Sequence, residues 1–250
     1  MESVPPTAGM IVIGDEILSG RTQDTNTHYL ARFLGAFGID LKEARVVPDV
    51  EAEIIAAVNA LRSRYDYVFT TGGIGPTHDD ITAGAIAHAF EVPIDYNAEA
   101  LALLASRYKG GELNDMRKRM ARIPAGATLI HNSVSAAPGF QIENVFVMAG
   151  VPLIMHAMLE NIAPRLRRGK PVHTRTLSTA VAEGRIAASL AAIQAAHPSV
   201  SIGSYPYFNE NGVGVNVVVR GRNPQDVEAA TDRIQEALMA QEIGSKPDDR

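Results

Sequence analysis

The chemistry-bearing residues of this chain gather in one stretch, Thr70-Thr-Gly-Gly-Ile-Gly-Pro-Thr-His-Asp-Asp-Ile-Thr82. Glycines at 72, 73 and 75 let bare backbone approach a ligand and aim amide N–H groups at an anion. A tight bend alone would also use them, so the glycines are read together with the polar residues 77–80. Thr77 and Asp80 fit a capping box with Asp80 at N3, and Asp79 with Asp80 would complement a helix dipole without any ligand. Beside a phosphate cradle, however, two carboxylates repel the phosphate unless a cation sits between them. Mg²⁺ characteristically takes one or two carboxylates plus phosphate oxygens. Asp79 and Asp80 are therefore the expected metal ligands, with Asp15 and Glu16 as further candidates and Asp49 as a third acidic position. His78 is expected at the surface or hydrogen-bonded rather than as a base. Asn26 and Asn132 lie in polar turns, where they serve as ligand contacts or as turn formers.

These residues share a site only if the elements bring them together. Residues 9–13 form an apolar run ended by Gly14, as in a strand buried on both faces of a parallel sheet. Leu30, Phe33, Leu34 and Phe37 have helical spacing, stopped by Gly38. Residues 39–48 suit a second strand, followed by a helix from Asp49 with Ile54, Val58 and Leu61 on one face. Residues 66–71 suit a third strand, leading into the glycine turn and a helix over 81–90. This alternation implies a doubly wound, mostly parallel α/β sheet whose right-handed crossovers place the loops after Ile13, Val47 and Thr71 on one edge. Helices are expected over 97–108 and 114–121, a strand over 127–130, strands over 139–143 and 145–148 joined by a tight corner, and a helix after Pro152. A basic, Pro- and Gly-punctuated linker is expected over 164–171. Beyond it the pattern reads strand (174–181), helix (183–196), strands (199–205 and 213–220) around a turn at 209–212, and a helix from Pro224 to Met239 with Asn223 as its cap. The expected organisation is thus a domain over 8–167, a small α+β plait of βαββα order over 172–241, and a disordered tail over 242–250.

The totals narrow the function classes. With 250 residues, 46% hydrophobic and 20% charged, the chain is an ordinary globular protein. A net charge of −5 argues against nucleic acid as the partner. The basic clusters at 117–122 and 165–170 are expected to be solvated helix-end charge. With no cysteine, any metal must sit on oxygen or imidazole. No apolar run is long enough for a membrane span and the first eight residues lack signal-peptide order, so a cytoplasmic, membrane-free protein is expected.

Several motifs occur in an order that is recognisable: Gly14-Asp-Glu-Ile-Leu-Ser-Gly20, Asn26, Val47-Pro-Asp49, residues 72–82, Ala137-Pro-Gly139 and Ala149-Gly-Val-Pro152. Over about residues 8–167 the sequence resembles the molybdopterin-binding-fold family in its competence/damage-inducible protein A branch, which includes the N-terminal domain of eukaryotic FAD synthases. Ser201-Ile-Gly-Ser-Tyr-Pro206 and the plait resemble the segment on the C-terminal side of that domain in the same branch. The resemblance implies hydrolysis of the diphosphate of FAD or ADP-ribose with a divalent metal (Mg, Mn or Co). Gly14, Asn26, Gly72, Gly73, Gly75, Thr77 and Asn132 then hold the nucleotide, Asp79 and Asp80 hold the metal, and Asp49 orients or deprotonates water. More distant cousins bind molybdopterin, and Asp49 and Asp80 match the two acidic positions of their adenylyltransferase motifs. This sequence departs from the pterin branches at Ile74 and at His78-Asp79-Asp80. It departs from much of its own branch at Ala149 and Ile154, where Pro and Glu are usual. Neither an amidase domain nor a synthase half is expected in the chain. A molybdenum-cofactor protein and a non-catalytic nucleotide sensor stand as alternatives, with a nucleotide or pterin as partner in each case, and the family's habit implies a homo-oligomer.

Overall fold

The computed structural model describes residues 4–109, 112–209 and 212–243. The chain forms two compact units, divided after Gly169.

In the first unit β1 (Thr7–Ile13) is followed by a single helical turn α1 (Asp15–Leu18), α2 (Asn26–Ala36), β2 (Asp40–Val47), α3 (Glu51–Arg62), β3 (Tyr67–Thr71) and α4 (Thr82–Ala89). Then come β4 (Ile94–Tyr96), α5 (Ala98–Arg107), α6 (Asp115–Lys118), a 3-10 turn at Arg119–Ala121, β5 (Arg122–Pro124), β6 (Thr128–Ile130), β7 (Gly139–Ile142), β8 (Val145–Met148) and α7 (Pro152–Ile162). The main sheet has the order β2-β1-β3-β8-β7-β6. Strands β2, β1, β3 and β8 are parallel, and only β7 runs against its neighbours. Strands β4 and β5 pair separately as a short antiparallel ribbon.

The apolar runs of the central strands are continuous because both faces of the sheet are covered. Along β1, Ile11 and Ile13 enter the core shared with α3 and α4, while Met10 and Val12 enter the core shared with α2 and α7. Strands β3 and β8 repeat the alternation: Val68 and Val147 on one side, Phe69 and Phe146 on the other, the two rings stacked 5.1 Å apart. Between β7 and β8 the corner needs a left-handed residue, supplied by Glu143 at φ 47°, and Asn144 locks it by donating to the carbonyls of Arg62 and Tyr65. With β1, β2, β3, β6 and β8 pointing the same way, the segments after Ile13, Val47, Thr71, Ile130 and Met148 emerge on one edge.

The second unit contains β9 (His173–Thr179), α8 (Glu183–Ala196), β10 (Val200–Asn209), β11 (Gly212–Gly221) and α9 (Pro224–Ile243), the expected βαββα order in a fully antiparallel sheet, β10-β11-β9. Val215, Val217 and Val219 of β11 pack against Val227, Ala230 and Ile234 of α9. Asn223 caps α9 by accepting from the amide of Gln225. Glu210 and Asn211, within the expected turn, lie outside the described residues.

Four expectations need correction. Helix α9 runs to Ile243, so residues 242 and 243 are not tail, and 244–250 lie outside the described residues. The β4–β5 ribbon was not foreseen, because three-residue strands carry too few alternations to show a period. The linker does not begin at Pro164: Leu166 is buried in the first unit's core, and Arg165 donates to Gln141, Asn161 and the Leu129 carbonyl. That makes Arg165 a packed structural residue rather than solvated charge. Finally, the helix expected over 81–90 is present as Thr82–Ala89, but its N-cap is Ile81 and not the Thr77 of the expected capping box.

Candidate functional site

The glycine turn is fixed from both ends. Gly72, at φ 102°, donates its amide to the Met148 carbonyl, and a Cβ there would lie 2.0 Å from the Ile13 carbonyl oxygen. Gly73, at φ 66°, accepts from the Thr82 amide while the Thr82 hydroxyl donates to the Gly72 carbonyl, and a Cβ on Gly73 would collide with that hydroxyl. No L-residue with a side chain fits either position without displacing backbone or a buried threonine. The turn therefore has a structural reason for its first two glycines. Beyond it, no protein acceptor among the described residues takes the amide N–H groups of Gly73, Ile74 or Gly75. Three successive unengaged amides around a left-handed residue are the arrangement that receives an anion.

Asp80 lies against this turn. Its Oδ2 accepts from the amide of Thr77 at 2.8 Å and from the Thr77 hydroxyl, and a Cβ on Gly75 would be 2.6 Å from the same oxygen. This replaces the capping box: Asp80 is in the loop before α4, where its carboxylate closes the Thr77–Asp80 turn on the Thr77 amide and hydroxyl, beside Gly75. Asp79 projects outward with its side chain 65% exposed. His78 is almost fully exposed.

The acids from the other loops meet at Asp49. Its Oδ2 accepts from the Asp15 amide at 2.9 Å, which ties the loop after β2 to the start of α1. Burial raises the Asp49 carboxyl above its ordinary value, the Asp15 hydrogen bond opposes this, and the negative charges of Asp15, Glu16 and Asp79 raise it further. Among the described residues no Lys or Arg pairs with Asp15, Glu16, Asp49 or Asp80, and no three carboxylate or imidazole groups converge as metal ligands. The four acids named as metal ligands are thus neighbours on one edge, not a preformed cage.

Two spaces flank the turn. On one side is a niche of about 60 Å³ lined by Val12, Glu16, Asn26, Thr71 and Gly150. Asn26 donates to the Gly150 carbonyl at 2.8 Å, yet its buried Oδ1 has no partner, and neither has the buried hydroxyl of Thr71. Buried polar atoms are rarely left so. On the other side a larger cleft of about 280 Å³ includes Gly73, Gly75, Asp80, Arg119, Arg122 and Phe140. Gly14 is buried with its amide donating to Val47, so it shapes the strand end and offers no N–H to a ligand. Asn132 spends both ends of its amide inside its own loop, accepting from Val134 and Ser135 and donating to Ala137. That is the work of a turn former.

Thr71, Thr82 and the two arginines were missed. A threonine pair ending an apolar strand is a readable signal for the first, whereas Arg119 and Arg122 are indistinguishable in sequence from surface charge.

The comparisons with known proteins divide the chain at the same place. Residues 9–168 match the family model described as probable molybdopterin binding domain, and residues 171–247 match the FAD synthase, middle domain. A protein from Pyrobaculum calidifontis is 34% identical, covering 94% of this chain and 95% of its own length. The probable FAD synthase of Caenorhabditis briggsae is 30% identical over 93% of this chain, which spans 50% of the worm protein. Among solved structures, the protein CinA with unknown function from Thermoplasma acidophilum superimposes with a TM-score of 0.62 at 33% identity, covering 65% of this chain and 99% of that one. With a family model matching well over half of its length, the chain belongs to the probable molybdopterin binding domain family, in the form that carries a FAD synthase middle domain behind it.

Proposed function

We propose that this protein is a divalent-metal-dependent nucleotide pyrophosphatase that splits the diphosphate of FAD or ADP-ribose into two monophosphates. The observation that carries this reading is the pairing, on one sheet edge, of three unengaged amides at 73–75 with an acidic group centred on Asp49 that has no cationic partner among the described residues. The amides suit a phosphate; the acids beside them exclude one unless their charge is offset. FAD enters as a substrate through the likeness to FAD synthases.

The donor set is all oxygen, which fits Mg²⁺, Mn²⁺ or Co²⁺, and Asp79 and Asp80 would hold the ion with phosphate and water completing its shell. A bound ion would offset the carboxylates and stabilise charge developing on the phosphoryl oxygens. Gly73 and Gly75 position the diphosphate through their amides. Asp49, its carboxyl raised above the ordinary value by burial and oriented by the Asp15 amide, takes a proton from the water whose oxygen attacks phosphorus as the bridging P–O bond breaks. Asn26 Oδ1 and the Thr71 hydroxyl offer partners for ligand hydroxyls.

A pterin phosphate in the same crevice is the second reading, supported by the description of the family model. Incubation with FAD, ADP-ribose or molybdopterin, with and without Mg²⁺, Mn²⁺ or Co²⁺, separates the two. Metal-dependent AMP release from FAD or ADP-ribose is expected. Binding of molybdopterin with no nucleotide hydrolysis would favour the second reading, and nucleotide binding without turnover would leave a sensor.

A further inference from the structure

Arg119 and Arg122 lie close together at the 3-10 turn and the start of β5, and both line the larger cleft beside the glycine turn. Each is half-buried, and among the described residues neither guanidinium makes a hydrogen bond or an ion pair with the protein. The charged neighbours that share the cleft are Asp80 and Glu51, and the Glu51 carboxylate is already engaged by His88. The same cleft is lined by the apolar side chains of Ile74, Ile123 and Phe140. Two half-buried, unpaired guanidiniums in a partly apolar cleft lose hydration without a compensating partner, an arrangement that makes sense when an anion completes it.

We propose that Arg119 and Arg122 form an anion subsite that takes the second phosphate of a diphosphate nucleotide whose first phosphate lies on the amides of 73–75. The inference rests on the nucleotide reading given above, but not on hydrolysis. The subsite offsets the charge of the substrate and of the cleft's own Asp80, and the apolar lining accepts the attached ring or sugar.

The test is calorimetric titration, in Mg²⁺, of AMP and of the non-hydrolysable α,β-methylene analogue of ADP into the full chain and into Arg119→Ala, Arg122→Ala and both Lys variants. Because neither guanidinium bonds to the protein, the variants should melt as the wild type does. The wild type should bind the diphosphate analogue more tightly than AMP. Each Ala variant should lower the analogue's affinity about tenfold, the size of one lost charge-assisted bond, with a much smaller effect on AMP. Lys variants should recover part of the loss. Equal loss for both nucleotides, or no loss for either, would overturn the subsite. If the analogue binds with this arginine dependence while FAD and ADP-ribose are not hydrolysed, the subsite stands and the pyrophosphatase reading falls. If the wild type binds neither nucleotide, both fall.

Discussion

Residue by residue, the glycines of the turn separate by what a methyl group would strike. Gly72→Ala forces a side chain onto the Ile13 carbonyl at a positive φ, so a loss of about 2–4 kcal/mol in stability is expected from denaturant unfolding. Gly75→Ala meets the Asp80 carboxylate instead, in a loop outside the core, so it should spare the melting temperature and depress activity. Asp80→Asn keeps an acceptor for Thr77 but loses its charge, and turnover of ADP-ribose should fall by about 10²-fold or more with the fold intact. Near wild-type turnover would leave Asp80 as a turn-pinning residue only. For Asp49 the sign runs from burial: its folded carboxyl is raised, so between the ordinary and the raised value the native state holds a proton that the unfolded state has released. Stability therefore falls as pH rises from the ordinary carboxylate value through the raised one. Asp49→Asn, which keeps an acceptor for the Asp15 amide, should melt higher than wild type at neutral pH and lose that advantage in acid. The same raised carboxyl should set an acid limb in the wild-type pH–rate profile that is absent in the variant.

Among the elements, the sheet edge was legible because its central strands announce themselves. The runs at 9–13, 67–69 and 145–148 are continuous and apolar, and both-face burial is what such runs encode. The convergence of Asp15, Asp49 and the glycine turn then came from crossover handedness. The features that could not be read were local. Thr77 and Asp80 satisfy the spacing of a capping box, yet the helix begins five residues after Thr77, because the Asp80 carboxylate closes a turn on Thr77 ahead of the helix instead. Asn132 and Arg165 look alike in sequence whether they serve a ligand, the solvent or their own backbone. Only the folded partners decide, and for both the partners are protein. Phe69 tests the element itself: stacked on Phe146 and fully buried, it should cost about 3–5 kcal/mol on truncation to Ala.

For the molecule as a whole, the first unit carries its own two-sided core and the entire candidate site, and its chain is anchored as far as Gly169 by Arg165, Leu166 and the Gly169 amide on the Phe37 carbonyl. A chain ending at Gly169 should fold and keep the activity, whereas one ending at Ala163 should be unstable; circular dichroism melts of the two check this. Among the described residues no helix is long and apolar enough to cross a membrane. Val151 and Leu153 stand more than half exposed at the start of α7, the kind of surface through which the expected self-association would run. Everything rests, however, on whether the glycine turn and the acids around it act together on a diphosphate through a cation. The direct measurement is AMP release from ADP-ribose and FAD by the wild type and by the Asp79→Asn/Asp80→Asn double variant, each in EDTA and in Mg²⁺. Metal-dependent release by the wild type alone is the predicted result; release that persists undiminished in EDTA, or in the double variant, would contradict it.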